Sequence, residues 1–154
     1  MGLDMHLKAE KYVSNSFLKT TPAEREAYKA LLEVFGLDPI PNTSATLSVT
    51  FAEWCKINQI HRWFVENVQD GIDDNDWHCV GRDQLQELVN KCKLVLDNKD
   101  KAGEILPRQA GFLFGSTTID EFYYQQLKDT IDQITPVLNN PKFEGWEFYY
   151  LATW

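Results

Sequence analysis

His61 and Asn58 carry the side chains of this chain best suited to chemistry, and both stand on what reads as a buried helix face. Between Trp54 and Gln69, the residues Trp54, Ile57, Ile60, Phe64, Val65 and Val68 recur at the three-and-four spacing of an amphipathic helix, with Asn58 and His61 on the same stripe. An imidazole near neutral pH serves as general base, ligand or hydrogen-bond donor. The Asn58 amide can read a base edge or a sugar hydroxyl, and the Trp54 indole offers a stacking face. Polar groups placed among apolar ones cost free energy unless they are paired. The stripe is therefore either a satisfied core network or one wall of a pocket.

A second constellation is Gly115-Ser116-Thr117-Thr118, which reads as the approach to a helix. Unpaired amides and hydroxyls at a helix N-terminus hold phosphate or carboxylate, and Arg108 is the nearby cation that would assist. The segment lacks the lysine and spacing of a Walker loop, and the alternative is that Thr118 caps the helix while Gly115 supplies a tight turn. Asp4 and His6 share the non-core face of a strand, and His78, Cys79 and the acidic run Asp70 to Asp76 complete the metal-ligand types. No pair has closed zinc-site spacing, and the acidic run lacks the alternating oxygens and final glutamate of an EF-hand. The sequence thus predicts a solvated turn there, no metal and no cofactor. No serine lies in a nucleophile elbow and no cysteine has a recognisable partner pattern, so no catalytic residue is assigned. Trp63, among Gln59, Arg62 and Glu66, and Tyr124, off the stripe of its helix, read as exposed aromatics at an interface with a second copy or another protein.

The elements that must position these residues follow from pattern. Leu3, Met5 and Leu7 alternate with Asp4, His6 and Lys8, which predicts a half-buried strand. Thr21-Pro22-Ala23-Glu24 joins a capping box to a first-turn proline and predicts a helix over 22–35, ended by Gly36. A strand is expected from Ala45 to Phe51, leading into the Trp54 helix, and a short one from Trp77 to Val80. Leu85, Leu88, Val89, Cys92, Val95 and Leu96 predict a helix from Arg82 onward, followed by a mobile polar connection from Lys99 to Arg108. Gly111 to Gly115 is a compact aromatic turn, and Thr118 with Glu121 makes a second capping box ahead of a long helix. The end, Trp146 to Trp154, is rich in strand formers. Both termini then share one sheet, which predicts a single α+β domain over 1–154, with a small mixed or antiparallel sheet and about four helices.

Composition narrows the function classes. A chain of 154 residues with 44% hydrophobic content buries a substantial core. The net charge of -8 repels polyanions and anionic membranes, so direct nucleic-acid binding is not expected. No membrane-spanning run or secretory signal is visible, and three unpaired cysteines, Cys55, Cys79 and Cys92, fit a reducing cytoplasm.

The chain resembles a family of small proteins encoded by phages and prophages. The resemblance rests on Met1-Gly2-Leu3-Asp4-Met5, on Ile60-His61-Arg62-Trp63-Phe64-Val65-Glu66-Asn67-Val68-Gln69-Asp70-Gly71, on Gly111 to Thr117 followed by Asp120-Glu121-Phe122-Tyr123-Tyr124, and on the closing aromatic strand. It spans nearly the whole chain. At His6 the family usually has tyrosine, and near Asn75 a cysteine often follows the acidic pair; both departures speak against a metal there. The resemblance implies a setting in the host cytoplasm but no mechanism. The leading expectation is a counter-defence or host-takeover protein that sequesters a small nucleotide-like ligand, with Trp54, Asn58 and His61 as one wall and Gly115, Ser116 and Thr117 receiving phosphate beside Arg108. The alternatives are an acidic inhibitor of a host protein and a nucleotide hydrolase using His61 as base.

Overall fold

Four strands form an antiparallel sheet in the order β2-β1-β4-β3, with β1 at Asp4–Ser14, β2 at Ser44–Cys55, β3 at His78–Val80 and β4 at Glu147–Thr153. The computed structural model describes residues 2–16 and 18–154; Met1, the first residue of the opening motif, lies outside them. Among the described residues five α-helices accompany the sheet: α1 (Pro22–Val34), α2 (Asn58–Asn67), α3 (Arg82–Asp97), the single turn α4 (Ala102–Ile105) and α5 (Glu121–Leu138). The α+β class and the pairing of both terminal strands in one sheet are as the sequence predicts. No helix among the described residues is long and apolar enough to cross a membrane.

The chain divides into two compact units. The larger comprises residues up to Ala9 together with Val49–Trp154, and the smaller is Glu10–Ser48. In the larger unit, the alternation of β1 puts Met5, Leu7 and Ala9 inside, with Leu3 just before the strand, where they join Phe148, Tyr150 and Ala152 of β4 and buried residues of α2, α3 and α5 in one core. β3 pairs antiparallel with β4 in the register His78 to Tyr150 and Val80 to Phe148. α3 packs along α5 through the predicted stripe of Leu85, Leu88, Val89, Cys92 and Val95. Burial pushes the Cys92 thiol up to about 12, so it behaves as a small apolar side chain, whereas Cys55 and Cys79 are exposed.

In the smaller unit, α1 begins as predicted. Thr21 Oγ1 accepts from the Glu24 N–H at 3.3 Å, and the Glu24 carboxylate accepts from the Thr21 N–H at 2.8 Å. Gly36, at φ 67, ends it. Tyr28 is the buried anchor of the helix, its hydroxyl 2.6 Å from Thr43 Oγ1.

Three expectations are corrected. The helix after β2 starts at Asn58 rather than Trp54: β2 runs on to Cys55, and Lys56 at φ 57 breaks the chain direction between strand and helix. Trp54 is thus a strand residue pointing into the core. The Lys99 to Arg108 segment is ordered as a 3-10 turn, Lys99–Lys101, followed by α4, because Ala102 and Leu106 are buried and their carbonyls receive the Tyr123 hydroxyl, at 3.5 and 2.7 Å. Thr118 is not the cap of the long helix. Asp120 is, accepting from the Tyr123 N–H at 3.0 Å.

β2 also carries an extra residue. Between the Asn15 N–H to Thr43 carbonyl bond and the Lys56 N–H to Leu3 carbonyl bond, β1 advances from 3 to 15 while β2 advances from 43 to 56, one residue more. The burial phase slips at the same place, from Val49 and Phe51 to Ala52 and Trp54. Both observations define a β-bulge near Phe51 and Ala52.

The centre of the core is the stacked pair Phe64 and Tyr150, with centroids 3.8 Å apart and planes 9° from parallel. Phe64→Ala removes that stack from a fully buried site and is expected to cost about 3–5 kcal/mol, read as a lowered denaturant midpoint at unchanged slope.

Candidate functional site

Of the side chains nominated by sequence, Asn58, His61 and Arg108 meet around the first turns of α2, and each is committed to a partner far along the chain. Asn58 is fully buried. Its Nδ2 donates to the carbonyls of Phe114 and Ser116, both at 3.0 Å, and its Oδ1 accepts from the Gln109 N–H at 3.2 Å. One amide thus clamps both ends of the loop that contains the predicted aromatic turn. Gly115 lets that loop approach: at φ +92, a Cβ there would lie 3.1 Å from the Lys56 carbonyl. The N-terminus closes the same corner, with the Leu3 N–H donating to the Leu113 carbonyl at 3.4 Å.

Arg108 joins the next residue rather than a phosphate. Its Nη1 donates to Gln59 Oε1 at 2.9 Å and its Nε to the Thr118 carbonyl at 3.2 Å, and its guanidinium lies 4.9 Å from the Tyr123 ring centroid. Gln59 Nε2 in turn donates to Gln126 Oε1 at 3.0 Å. Partial burial lowers the Arg108 pKa, and Asp120 acts in the opposite direction. Ser116 and Thr117 are exposed, and Ser116 Oγ accepts from the Thr118 N–H at 3.1 Å. The Gly-Ser-Thr segment is therefore a local turn upstream of α5, not the helix N-terminus that the anion reading required.

His61 is enclosed by Phe114, Tyr150 and Trp154, with ring centroids at 5.3, 6.3 and 5.6 Å. Its Nδ1 lies 2.9 Å from the Tyr150 hydroxyl, and its Nε2 lies 3.1 Å from Asp73 Oδ1, close in distance but not aligned as a hydrogen bond. Desolvation lowers the His61 pKa, the Asp73 carboxylate opposing it, and desolvation raises that of Tyr150. A neutral ring facing a carboxylate through Nε2 carries its proton there, which leaves Nδ1 to accept from the tyrosine hydroxyl. The arrangement ties α2 to β4 and to the acidic turn. It keeps the imidazole and phenol shut off from solvent, with only Asp73 partly exposed.

The question raised by the sequence is thus answered in favour of packed core around Asn58 and His61. The structure brings Asn58 against the Ser116 backbone, and Arg108 against Gln59. Trp54 packs on Phe64, with ring centroids 6.3 Å apart. Sequence reasoning missed Gln59, Gln126, Asp73 and Tyr150, the partners that satisfy the stripe. The signal for Asp73 was an acidic run beside a histidine; the rest left none. Trp63 is corrected too: it is 3% exposed and packs edge-on against Phe64, because α2 is covered on more than one face. Tyr124 is half-buried, its ring 4.4 Å from Lys99 Nζ and its hydroxyl donating to the Lys99 carbonyl at 3.3 Å.

No protein-family model, curated protein or solved structure matches this chain.

A surface cleft of about 470 Å³ opens at the start of β1 and the ends of β2 and β4, lined by Asp4, His6, Glu53, Trp54, Cys55 and Thr153. His6 Nδ1 lies 3.2 Å from Glu53 Oε1, and burial and the hydrogen bond to Asp4 raise the Cys55 thiol pKa, which disfavours the thiolate. Among the described residues no three His, Cys, Asp or Glu side chains converge as a metal site requires.

Two outcomes are expected. Asn58→Ala orphans the Gln109 N–H and two carbonyls, which costs about 1–3 kcal/mol. Hydrogen exchange should accelerate selectively in the 109–116 loop, and uniform acceleration would mean that Asn58 does not clamp it. For His61, the folded pKa lies below the ordinary 6.5, so the unfolded chain takes up the proton first. The stability contributed by the neutral ring is present above that value and is lost as pH falls below it toward the folded pKa. In thermal melts from pH 8 to 5.5, His61→Asn, which keeps an acceptor toward Tyr150, should flatten the fall in Tm seen for the parent protein.

Proposed function

We propose that this chain is a binding protein that acts on another protein through the apolar end of α1. The observation that carries the reading is a cluster of large side chains left in water where α1 ends: Val34 at 78% exposure, Phe35 at 71%, Leu37 at 57% and Ile40 at 59%. Scattered exposed apolar residues are ordinary, but four within seven positions form a patch of the kind that marks interaction sites. Glu33 precedes the cluster and Asp38 lies within it, in a chain of net charge -8, which fits a partner surface that is mainly apolar and carries basic groups to meet them. With the resemblance to phage-encoded accessory proteins, that partner would be a host protein, and binding would block one of its surfaces.

The small-ligand trap has no comparable support. The donors of Asn58 and Arg108 that would read a nucleotide are already engaged with loop carbonyls and Gln59.

Affinity capture from host lysate, with the parent chain and the double variant Phe35→Ser/Ile40→Ser side by side, tests the proposal. Both positions are exposed, so the fold should be unaffected. The expected result is a stoichiometric partner that persists in high salt and whose recovery drops about tenfold or more with the variant. Equal recovery with both chains, or no stoichiometric partner with either, would overturn it.

A further inference from the structure

The two edges of the sheet are guarded very differently. β3 forms one edge with only three residues. β2 forms the other with twelve, and Ser44 to Ala52, nine of these, include no charged residue and no proline. Exposed strand edges are templates for further pairing, and proteins usually blunt them with lysine, proline, bulges or a covering element. At the far end of β2 such devices are present: the bulge near Phe51, and Gln133 of α5, whose Oε1 accepts from the outward Glu53 N–H at 2.9 Å. From Ser44 to Thr50 there are none among the described residues.

The same segment is self-complementary. The Asn15 N–H to Thr43 carbonyl bond fixes the odd-numbered residues of this stretch as those facing β1, so Ser44, Thr46, Ser48 and Thr50 direct their backbone groups to the open edge. Read about Ser48, the sequence is Thr46-Leu47-Ser48-Val49-Thr50, and its two halves match in kind. An antiparallel copy related by a two-fold axis through Ser48 sets Ser48 against Ser48, Thr46 against Thr50 and Leu47 against Val49. Each outward residue from 46 to 50 then finds a partner, giving about six backbone hydrogen bonds across the axis. Charge points to the same occupant. Two chains of net charge -8 repel over most of their surfaces, and this uncharged strand lets them meet without opposing carboxylates.

We infer that β2 pairs with β2 of a second copy of this chain, extending the antiparallel sheet through an isologous two-fold interface centred on Ser48. This surface is separate from the α1 patch and does not depend on the binding role proposed for it.

Sedimentation equilibrium at ~100 µM, a concentration at which a micromolar dimer is almost fully formed, should give a mass near twice 17.9 kDa. Ser48 is exposed, so charge placed there leaves the fold intact, as circular dichroism would verify. S48K alone and S48E alone should each sediment as monomers, because like charges face one another across the axis, and an equimolar mixture should regain the dimer. A monomeric parent chain, dimers that persist in both single variants, or a mixture that stays monomeric would each overturn the inference. Capture of a partner protein through Phe35 and Ile40 should be unchanged in S48K, so the two proposals fail separately.

Discussion

Three consecutive-turn polar residues, Asn58, Gln59 and His61, have been taken out of water by the burial of α2, and the architecture of the larger unit is organised around giving them partners. Five of their side-chain atoms are bonded, to loop 109–116, to Arg108, to Gln126 of α5 and to Tyr150 of β4. A buried polar group left unpaired costs about 1–3 kcal/mol, against a typical total stability of about 5–15 kcal/mol. Leaving several of them unpaired would consume most of what holds a domain of this size together. The partners lie between 49 and 89 residues away along the chain. The network therefore fixes tertiary register in a way apolar contacts do not, because Leu or Phe can slide against a neighbour at small cost while an amide bonded to two named carbonyls cannot.

Once Asn58 and Arg108 serve the loop, the inner face of α2 has little left to offer a ligand, and the features with unmet physical demands are exposed ones. They concentrate in the smaller unit. Among its described residues the buried apolar side chains are Val13 and Tyr28, whereas Leu18, Val34, Phe35, Leu37, Ile40 and Leu47 all face solvent. A helix over a two-stranded ribbon gains little from burial by itself. Its exposed apolar groups and its uncharged strand edge are both of the kind that association satisfies.

Much of this was legible in the sequence where the cause is local. The Thr21 capping box, the alternation of β1 and the stripe of α3 are set by neighbours within a turn or two, and the structure reproduces them. The inward placement of Asn58 and His61 was likewise readable from helical spacing. Trp54 was misread because its distance to Ile57 and Ile60 matches a helix template, while the break that separates them is Lys56 at positive φ, a conformation that lysine does not announce. Trp63 was misread because amphipathic logic assumes one buried face, and α2 buries Gln59 and Trp63 as well as the Phe64 side. At the start of α5, Thr118 and Asp120 are both competent caps, and only the geometry of the preceding turn, where Ser116 takes the Thr118 N–H, decides for Asp120.

The partners of His61 show why the candidate site was the least legible part. Tyr150 lies 89 positions away, and Asp73 belongs to an acidic run that by itself describes a solvated turn. Yet the two act on the imidazole in opposing and separable ways. Burial against Phe114, Tyr150 and Trp154 favours the neutral ring, and Asp73, partly in water, draws its proton toward Nε2 without being close enough in line to hold it as a full hydrogen bond. Because desolvation is the larger influence, the ring stays neutral and Nδ1 stays an acceptor, which is what the buried tyrosine hydroxyl requires. A protonated ring would turn that acceptor into a donor, and the tyrosine oxygen would accept from it only by turning its own hydrogen away from Nδ1. The neutral state set by burial thus also suits the Tyr150 hydroxyl, and a histidine that reads as a base in the sequence is held as an acceptor for the core.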